Sequence, residues 1–180
     1  MKNTTPRRAF LIKTTLATAG ATLLTSAFSE TFASSPFEGY NPYASNKKDL
    51  RTNFLGEQVA VTGILYDATS LVPVKNAIVE VWHLSPNSSK YRHRTKLTTD
   101  EKGAFSLKTD FPNKESGKYS RIYFKTTTNV GSRYGEIVLN STGVHITDTH
   151  WTQNQKLGKR MFPKYSKYLN TTNISINLLN

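Results

Sequence analysis

The sequence has no cysteine among its 180 residues. This absence excludes disulfide bonds and metal sites built on thiolate ligands. Acidic residues are also scarce, because only 12 Asp and Glu accompany 24 Lys and Arg, which gives a formal net charge of +12. A chain of this length can nevertheless bury a sizeable core. We therefore expect a fold that rests on its hydrophobic core, with a surplus of positive charge on its surface.

Residues 1–33 have the layout of a cleavable export signal. Arg7 and Arg8 precede a mildly apolar stretch at residues 10–28, and no acidic residue occurs before Glu30. Small residues that suit cleavage by a signal peptidase follow this stretch. The stretch is too weakly hydrophobic to predict a permanent membrane span.

The segment Arg7-Arg8-Ala9-Phe10-Leu11 is similar to the twin-arginine export motif, with Pro6 where Ser or Thr is usual. The alternative is that these arginines are two ordinary charges of a signal peptide. A twin-arginine signal implies a bacterial protein that folds in the cytoplasm before it is exported. Both readings predict an exported protein, periplasmic or extracellular.

Residues 34–55 contain Pro36, Gly39 and Pro42 and show no sustained period, so we interpret them as a linker or an N-terminal arm. Residues 56–180 alternate apolar and polar side chains instead, as β-strands do. Strands are predicted at residues 59–65, 77–84, 104–108, 119–126, 134–139 and 173–178. This spacing predicts an all-β antiparallel sandwich. Residues 141–170 are expected to be loop-like.

A basic stretch lies late in the chain and includes two tyrosines, Tyr165 and Tyr168. Its basic residues are Lys156, Lys159, Arg160, Lys164 and Lys167. Such a stretch can contact an anionic polymer, or it can be a solvated face. No nucleic-acid-binding motif accompanies it, so no nucleic-acid partner is expected.

Four pieces of the sequence together resemble the intradiol ring-cleavage dioxygenases. They are Val61-Thr62-Gly63-Ile64-Leu65-Tyr66-Asp67, Val79-Glu80-Val81-Trp82-His83, Tyr91-Arg92-His93-Arg94, and Thr99-Asp100-Glu101-Lys102-Gly103-Ala104-Phe105-Ser106. The first and last pieces also occur in many transthyretin-like sandwiches, whereas the middle two are more specific. The resemblance implies a transthyretin-like (prealbumin-like) sandwich with a dioxygenase-like core over residues 56–180.

In that family two tyrosines and two histidines hold a ferric ion, and the resemblance places Tyr91 at the first tyrosine. Tyr119 is the candidate for the second. Arg121 and Tyr123 stand where the two histidines are expected, and Lys118 stands at a substrate-facing arginine. We therefore take Lys118, Arg121 and Tyr123 as substrate-facing by resemblance. Arginine does not give up its proton to bind a metal, so the resemblance implies a damaged iron site.

Other histidines are candidates to replace the missing ligands. His93 lies two residues after Tyr91, and His145 lies well beyond the matching strand. A site can be drawn from these residues, although nothing in the spacing requires it. Each histidine has the alternative of an ordinary hydrogen-bonding role.

Three functions therefore remain open. The first is an exported protein that is degenerate at the iron site and acts by binding a ligand, a glycan or a protein. The second is an active Fe(III) dioxygenase that opens small aromatic diols. The third is a generic transthyretin-like module of the cell surface. A structure that places Arg121 or Tyr123 opposite Tyr91 favours descent with loss of iron, and no cofactor is expected in that case.

Overall fold

The computed structural model describes residues 35–180, so the predicted export signal lies outside the described residues. This part of the chain forms nine strands, and its short helical segments lie between the seventh and the eighth. The strands are β1 (Gln58–Tyr66), β2 (Ile78–His83), β3 (His93–Thr98), β4 (Ala104–Asp110), β5 (Ser120–Thr128), β6 (Gly131–Asn140), β7 (Gly143–Ile146), β8 (Lys164–Tyr168) and β9 (Thr171–Leu179). The helix α1 (Asp148–Asn154) continues into a 3₁₀ segment, Gln155–Met161, whose backbone is not helical at Gly158.

The strands form two sheets, which confirms the all-β prediction. Sheet A has four strands in the order β4-β1-β9-β8, and sheet B has five in the order β3-β2-β5-β6-β7. All neighbouring pairs are antiparallel except β1 and β9, which run parallel. The expectation of purely antiparallel pairing is therefore wrong for this pair. The parallel pair is possible because all of sheet B lies between the two strands in the sequence, which provides a long crossover.

Side chains from both sheets bury one common hydrophobic core. In each strand the core-facing residues alternate with residues of the opposite face, as the pleat of a strand requires. The fully buried members include Val59, Leu65, Val79, Ile122, Phe124, Ile137, Leu139, Ile174 and Ile176. Burial of aliphatic and aromatic side chains contributes about 1.5–3 kcal/mol each, so this cluster supplies the stability that no disulfide can supply here.

The predicted loop at residues 141–170 is folded. It contains β7, α1, the 3₁₀ segment and β8. The Thr147 hydroxyl caps α1 by accepting a hydrogen bond from the His150 N–H, and the His150 side chain is 2 % exposed. His150 Nε2 lies 2.8 Å from the carbonyl oxygen of Met161. These elements are too short to show a helical or strand period, and tertiary contacts hold them instead.

Residues 35–55, which we call the arm, lie against both sheets. Thr95 of β3 and the arm exchange hydrogen bonds, from Lys47 N to Thr95 Oγ1 (3.0 Å) and from Thr95 Oγ1 to the Lys47 carbonyl (2.7 Å). Leu50 N donates to the carbonyl of Lys108 in β4 (2.8 Å). Because β3 and β4 are edge strands of different sheets, the arm covers two edges that would otherwise carry unpaired backbone groups.

None of the helices in residues 35–180 combines the length and the apolar character that a transmembrane span requires.

Candidate functional site

The outer face of sheet B, opposite the core, carries a band of aromatic and charged side chains. Alternation along β2 turns Val79 and Val81 into the core and places Glu80 and Trp82 on this outer face. Neighbouring β5 and β6 bring Arg121, Tyr123, Lys125, Tyr134 and Glu136 to the same face by the same rule. Trp82 and Tyr123 are paired across the strands, and their rings stack at 5.6 Å between centroids.

Two tyrosines of this face share one carboxylate. The hydroxyl of Tyr91, just before β3, donates to Glu115 Oε1 at 2.8 Å. The hydroxyl of Tyr123 donates a short hydrogen bond to the same oxygen. The two tyrosine rings are 6.4 Å apart between centroids, and Tyr123 is 4 % exposed. Tyr91, Glu115 and Tyr123 therefore form a compact cluster, which we call the tyrosine–glutamate cluster.

Two cations neutralise the acids around this cluster. Lys118 Nζ lies 2.8 Å from Glu115 Oε2, and Arg121 lies 2.5 Å from Glu136 Oε2. Arg121 Nε is buried and has no hydrogen-bond partner among the described residues. The guanidinium therefore pairs with Glu136 through one of its nitrogens only. The result is an internally paired set of charges rather than an electropositive pocket.

The electrostatics keep protons on both phenols. Burial raises the pKa of Tyr91 and of Tyr123 far above the usual value, and the hydrogen bonds to Glu115 raise both pKa values further. Burial alone would raise the pKa of Glu115, but the hydrogen bonds from Lys118, Tyr123 and Tyr91 outweigh it and lower that pKa. In this arrangement Glu115 is the anion and the tyrosines are its neutral donors.

The arm covers the tyrosine–glutamate cluster. The ring of Phe37 stacks on Tyr123 with centroids 4.8 Å apart. The Trp82 indole N–H donates to the carbonyl oxygen of Glu38 at 2.9 Å. Gly39 packs so closely on Tyr91 that an added Cβ would lie 2.1 Å from its ring. The chain's own residues therefore lie on the aromatic face of the cluster.

A second set of contacts fastens the next arm residue to the same sheet face. The Tyr40 hydroxyl hydrogen-bonds the Glu80 carboxylate, with 3.1 Å to Oε2, and accepts a hydrogen bond from Lys125 Nζ at 2.7 Å. Lys125 also lies 3.6 Å from Glu80 Oε2. Burial raises the pKa of Tyr40, which keeps its proton on the phenol. The arm is therefore held by partly buried hydrogen bonds as well as by ring contacts.

Gly39 provides a direct test of this packing. Its φ of +77° already favours glycine, and no space exists for a side chain. Gly39→Ala is expected to lift the arm from Tyr91 and to make residues 35–43 sensitive to protease. Gly117→Ala is the matched control, because Gly117 has a similar φ of +70° and nothing within 4 Å of an added Cβ. Limited proteolysis and Trp fluorescence would measure the difference. Equal behaviour of the two variants would contradict close packing of the arm.

The other residues singled out from the sequence lie apart from the cluster. Tyr119 is 57 % exposed, and no hydrogen bond or ring contact among residues 35–180 joins it to Tyr91 or Tyr123. His145 Nε2 lies 3.1 Å from Asn140 Oδ1. His93 is buried between the sheets' ends, where its ring contacts Ser85 Oγ (2.9 Å) and Asp110 Oδ2 (3.0 Å).

The structure thus joins Tyr91, Tyr123, Arg121 and Lys118 into one neighbourhood around Glu115, whereas Tyr119, His93 and His145 are not part of it. Glu115 was missed from the sequence. It, and not Tyr119, is the residue that joins the hydroxyl groups of Tyr91 and Tyr123.

The residues at this position do not match the donor set of a ferric site with two tyrosines and two histidines. The cluster offers two protonated phenols and one carboxylate, with a guanidinium where a histidine is expected. Within residues 35–180 no group of three or more His, Cys, Asp or Glu side chains is placed to hold a metal ion. Imidazole and phenolate ligands must be deprotonated to bind a metal, and Arg121 cannot meet that condition.

Comparison with solved structures relates the fold to dioxygenases. The dioxygenase domain of a dioxygenase–carbohydrate-binding fusion from the cellulolytic bacterium Streptomyces sp. SirexAA-E is similar, with a TM-score of 0.60 and 14% identity over 80% of this chain and 94% of that one. An intradiol ring-cleavage dioxygenase from Tetranychus urticae gives a TM-score of 0.59 and 15% identity over 78% and 88% of the two chains. Chlorocatechol 1,2-dioxygenase from Pseudomonas putida gives 0.59 and 12% identity, over 78% and 68%.

No protein-family model and no curated protein matches the sequence. The likeness is therefore one of fold, at sequence identities too low to carry over an activity. It confirms that the resemblance seen in four pieces of sequence extends over the described chain.

Proposed function

We propose that this chain, which has the fold of the intradiol ring-cleavage dioxygenases, is an exported binding protein whose iron site has degenerated. In this proposal residues 56–180 are a transthyretin-like sandwich that keeps the strand framework of the enzymes. Residues 1–33 direct export, and residues 34–55 are an arm that closes the former site. The ligand is a small molecule, a glycan or a protein.

One observation carries the proposal: Tyr91 and Tyr123 both donate their hydroxyl protons to Glu115. A ferric site needs phenolate oxygens with free lone pairs directed at the metal. Here each phenol keeps its proton, and the shared acceptor is itself neutralised by Lys118 at 2.8 Å. The polar groups of the cluster satisfy one another, which stabilises the cluster without a metal.

The position of the arm supports the same conclusion. Phe37 stacks on Tyr123, and Gly39 lies against Tyr91, so the space beside both tyrosines is filled by protein. A substrate ring would have to displace Phe37 and break the hydrogen bond from Trp82 to the Glu38 carbonyl. Displacing a packed aromatic ring and breaking a partly buried hydrogen bond together cost about 1–3 kcal/mol.

Metal analysis of the purified protein tests the proposal. We expect iron far below one equivalent after incubation with ferric salts, and no visible tyrosinate-to-iron absorption band. Tyr91→Phe is the control, because it removes one phenol and leaves the ring packed on Gly39. One equivalent of iron with a visible band that Tyr91→Phe abolishes would overturn the proposal.

A working dioxygenase is the second candidate, and one observation favours it. Three oxygen-bearing side chains from separate parts of the chain, Tyr91, Glu115 and Tyr123, meet at one point. Hard oxygen donors of this kind suit a ferric ion, which would activate a catechol-type diol toward dioxygen. For this to occur the phenols would have to transfer their protons to solvent and the arm would have to move. Oxygen uptake with catechol after iron loading would support this candidate against the first.

A further inference from the structure

An open groove of about 500 Å³ lies beside the edge strand β8. Its volume falls in the range of small-ligand sites, about 300–1,000 Å³. Two tyrosines line it, Tyr119 and Tyr165, together with Lys114, Lys167 and Glu57. The side chains of the tyrosine–glutamate cluster are not among its lining residues, so the groove is a separate feature of the molecule.

Tyr165 is both exposed and fixed in place. Its side chain is 51 % exposed. Its hydroxyl donates to the carbonyl oxygen of Thr142 at 2.7 Å, and its ring packs on Gly143, where an added Cβ would lie 2.5 Å from the ring. An ordered aromatic ring with one solvent-facing side loses little conformational entropy when a ligand stacks on it. These contacts suit Tyr165 to act as a binding platform.

Strand alternation divides β8 into two faces. Tyr165 and Lys167 line the groove, whereas Lys164 and Tyr168 do not. All five residues of β8 are exposed, so the strand contributes no side chain to the core. The groove face and the opposite face therefore carry the same two residue types, all of them exposed, which provides a matched internal control.

One of the two lysines that line the groove has no acidic partner in the described structure. Lys167 Nζ pairs with Glu57 at 3.0 Å, and Lys114 has no ion-pair partner among residues 35–180. The described part of the chain as a whole has 20 basic and 11 acidic residues. An anionic ligand is therefore favoured, and the single groove cation that is unpaired within these residues suits isolated negative groups better than a dense run of phosphates.

We propose that this groove binds a polysaccharide that bears carboxylate groups. Sugar rings present C–H faces that stack on Tyr165 and Tyr119, and their hydroxyl groups donate hydrogen bonds to the Glu57 carboxylate. Lys114 then pairs with a sugar carboxylate. A single-stranded nucleic acid could also stack on tyrosines, but the groove as described offers its run of phosphates one unpaired cation, Lys114, and no use for the Glu57 acceptor, so the acidic glycan is the ligand that fits all four side chains. The inference names a ligand for the binding role proposed above and rests on that role.

Titration with polygalacturonate tests the inference. Calorimetry on the purified protein should show binding that weakens with added salt and is much weaker for the neutral polymer dextran. Tyr165→Ala should weaken binding about tenfold, the scale of one lost aromatic stacking contact. Lys114→Gln should weaken it several-fold and reduce the salt dependence. Tyr165→Phe keeps the ring and should bind nearly as well as the unchanged protein.

Tyr168→Ala and Lys164→Gln are the controls, because they remove the same residue types from the face of β8 that does not line the groove. Equal losses in these variants would mean diffuse charge attraction and would overturn the inference. Absence of binding to polygalacturonate, or tighter binding to single-stranded DNA, would overturn it as well. Absorption spectra and iron content of the same sample report on the iron site, so failure of the glycan site can be told apart from failure of the non-catalytic role.

Discussion

Asp110→Ala is expected to lower the free energy of unfolding by about 3–5 kcal/mol, the usual cost of leaving partners of a buried charge unpaired. Asp110 is 1 % exposed and ends β4. Its carboxylate accepts hydrogen bonds from Thr52 N (2.8 Å), Thr52 Oγ1 (2.6 Å) and Asn53 N, and it contacts His93 Nε2 at 3.0 Å. The alanine would release the arm from β4 and leave a buried histidine N–H without its acceptor.

The pKa of Asp110 agrees with this role. Burial alone would raise it, but the hydrogen bonds from Thr52, His93 and Asn53 outweigh burial and lower the pKa. Asp67→Ala is the control, because Asp67 also accepts three local hydrogen bonds, from Thr69 and Ser70, but in an exposed turn. Urea unfolding followed by Trp fluorescence would give both losses. If Asp110→Ala lowered the free energy of unfolding no more than Asp67→Ala, the role of Asp110 in holding the arm and His93 would be contradicted.

Stability is expected to fall by about 2 kcal/mol between pH 6.5 and pH 5, because His83 is buried in its neutral form. His83 is fully buried, and burial lowers its pKa from 6.5 to about 3. One ring nitrogen lies 2.7 Å from the Leu84 carbonyl and the other lies 2.7 Å from Thr109 Oγ1, so neither site needs an added proton. The unfolded chain therefore binds a proton at a pH where the folded chain does not.

The loss of stability at lower pH follows from the protonation of His83 in the folded and the unfolded states. As the pH falls below 6.5 the unfolded state gains a proton at this residue, which favours unfolding until the pH reaches about 3. His150 adds to the same trend, because burial lowers its pKa too. The free energy of unfolding, measured at several pH values, should depend less steeply on pH in His83→Gln, by an amount that corresponds to about one bound proton. His145→Gln, at a histidine that is exposed to solvent, is the control. A slope unaffected by His83→Gln would contradict the explanation.

The sequence predicts those strands in which one face is apolar, because alternation is then visible in the residues themselves. β2 and β9 are examples, and both lie where the alternation puts them. β3 was not among the predicted strands, because its buried face is His93, Thr95 and Leu97, of which only one is apolar. β8 reads Lys-Tyr-Ser-Lys-Tyr and is exposed throughout, so its strand state depends on pairing with β9 and not on burial.

The candidate site was partly predictable for a related reason. Tyr91 and Tyr123 were placed by their positions in a known pattern of strands, and they do lie together. Glu115 lies between β4 and β5, outside the strands, so the resemblance did not point to it. The contact of Phe37 with Tyr123 joins segments far apart in the chain. No local period or propensity specifies such a contact, because it depends on the completed sheet.

The parallel pairing of β1 with β9 has a consequence for the order in which the protein can fold. β9 fills a central place in sheet A between β1 and β8, and its partner β1 leaves the ribosome more than a hundred residues earlier. Until residues 171–179 are made, β1 carries a free edge that can pair with other chains. Contacts this distant in sequence also form slowly. Sheet A therefore stays incomplete until β9 is synthesised, and the exposed edge of β1 favours aggregation during that time. A pause late in translation should reduce the yield of folded protein more than a pause early in translation.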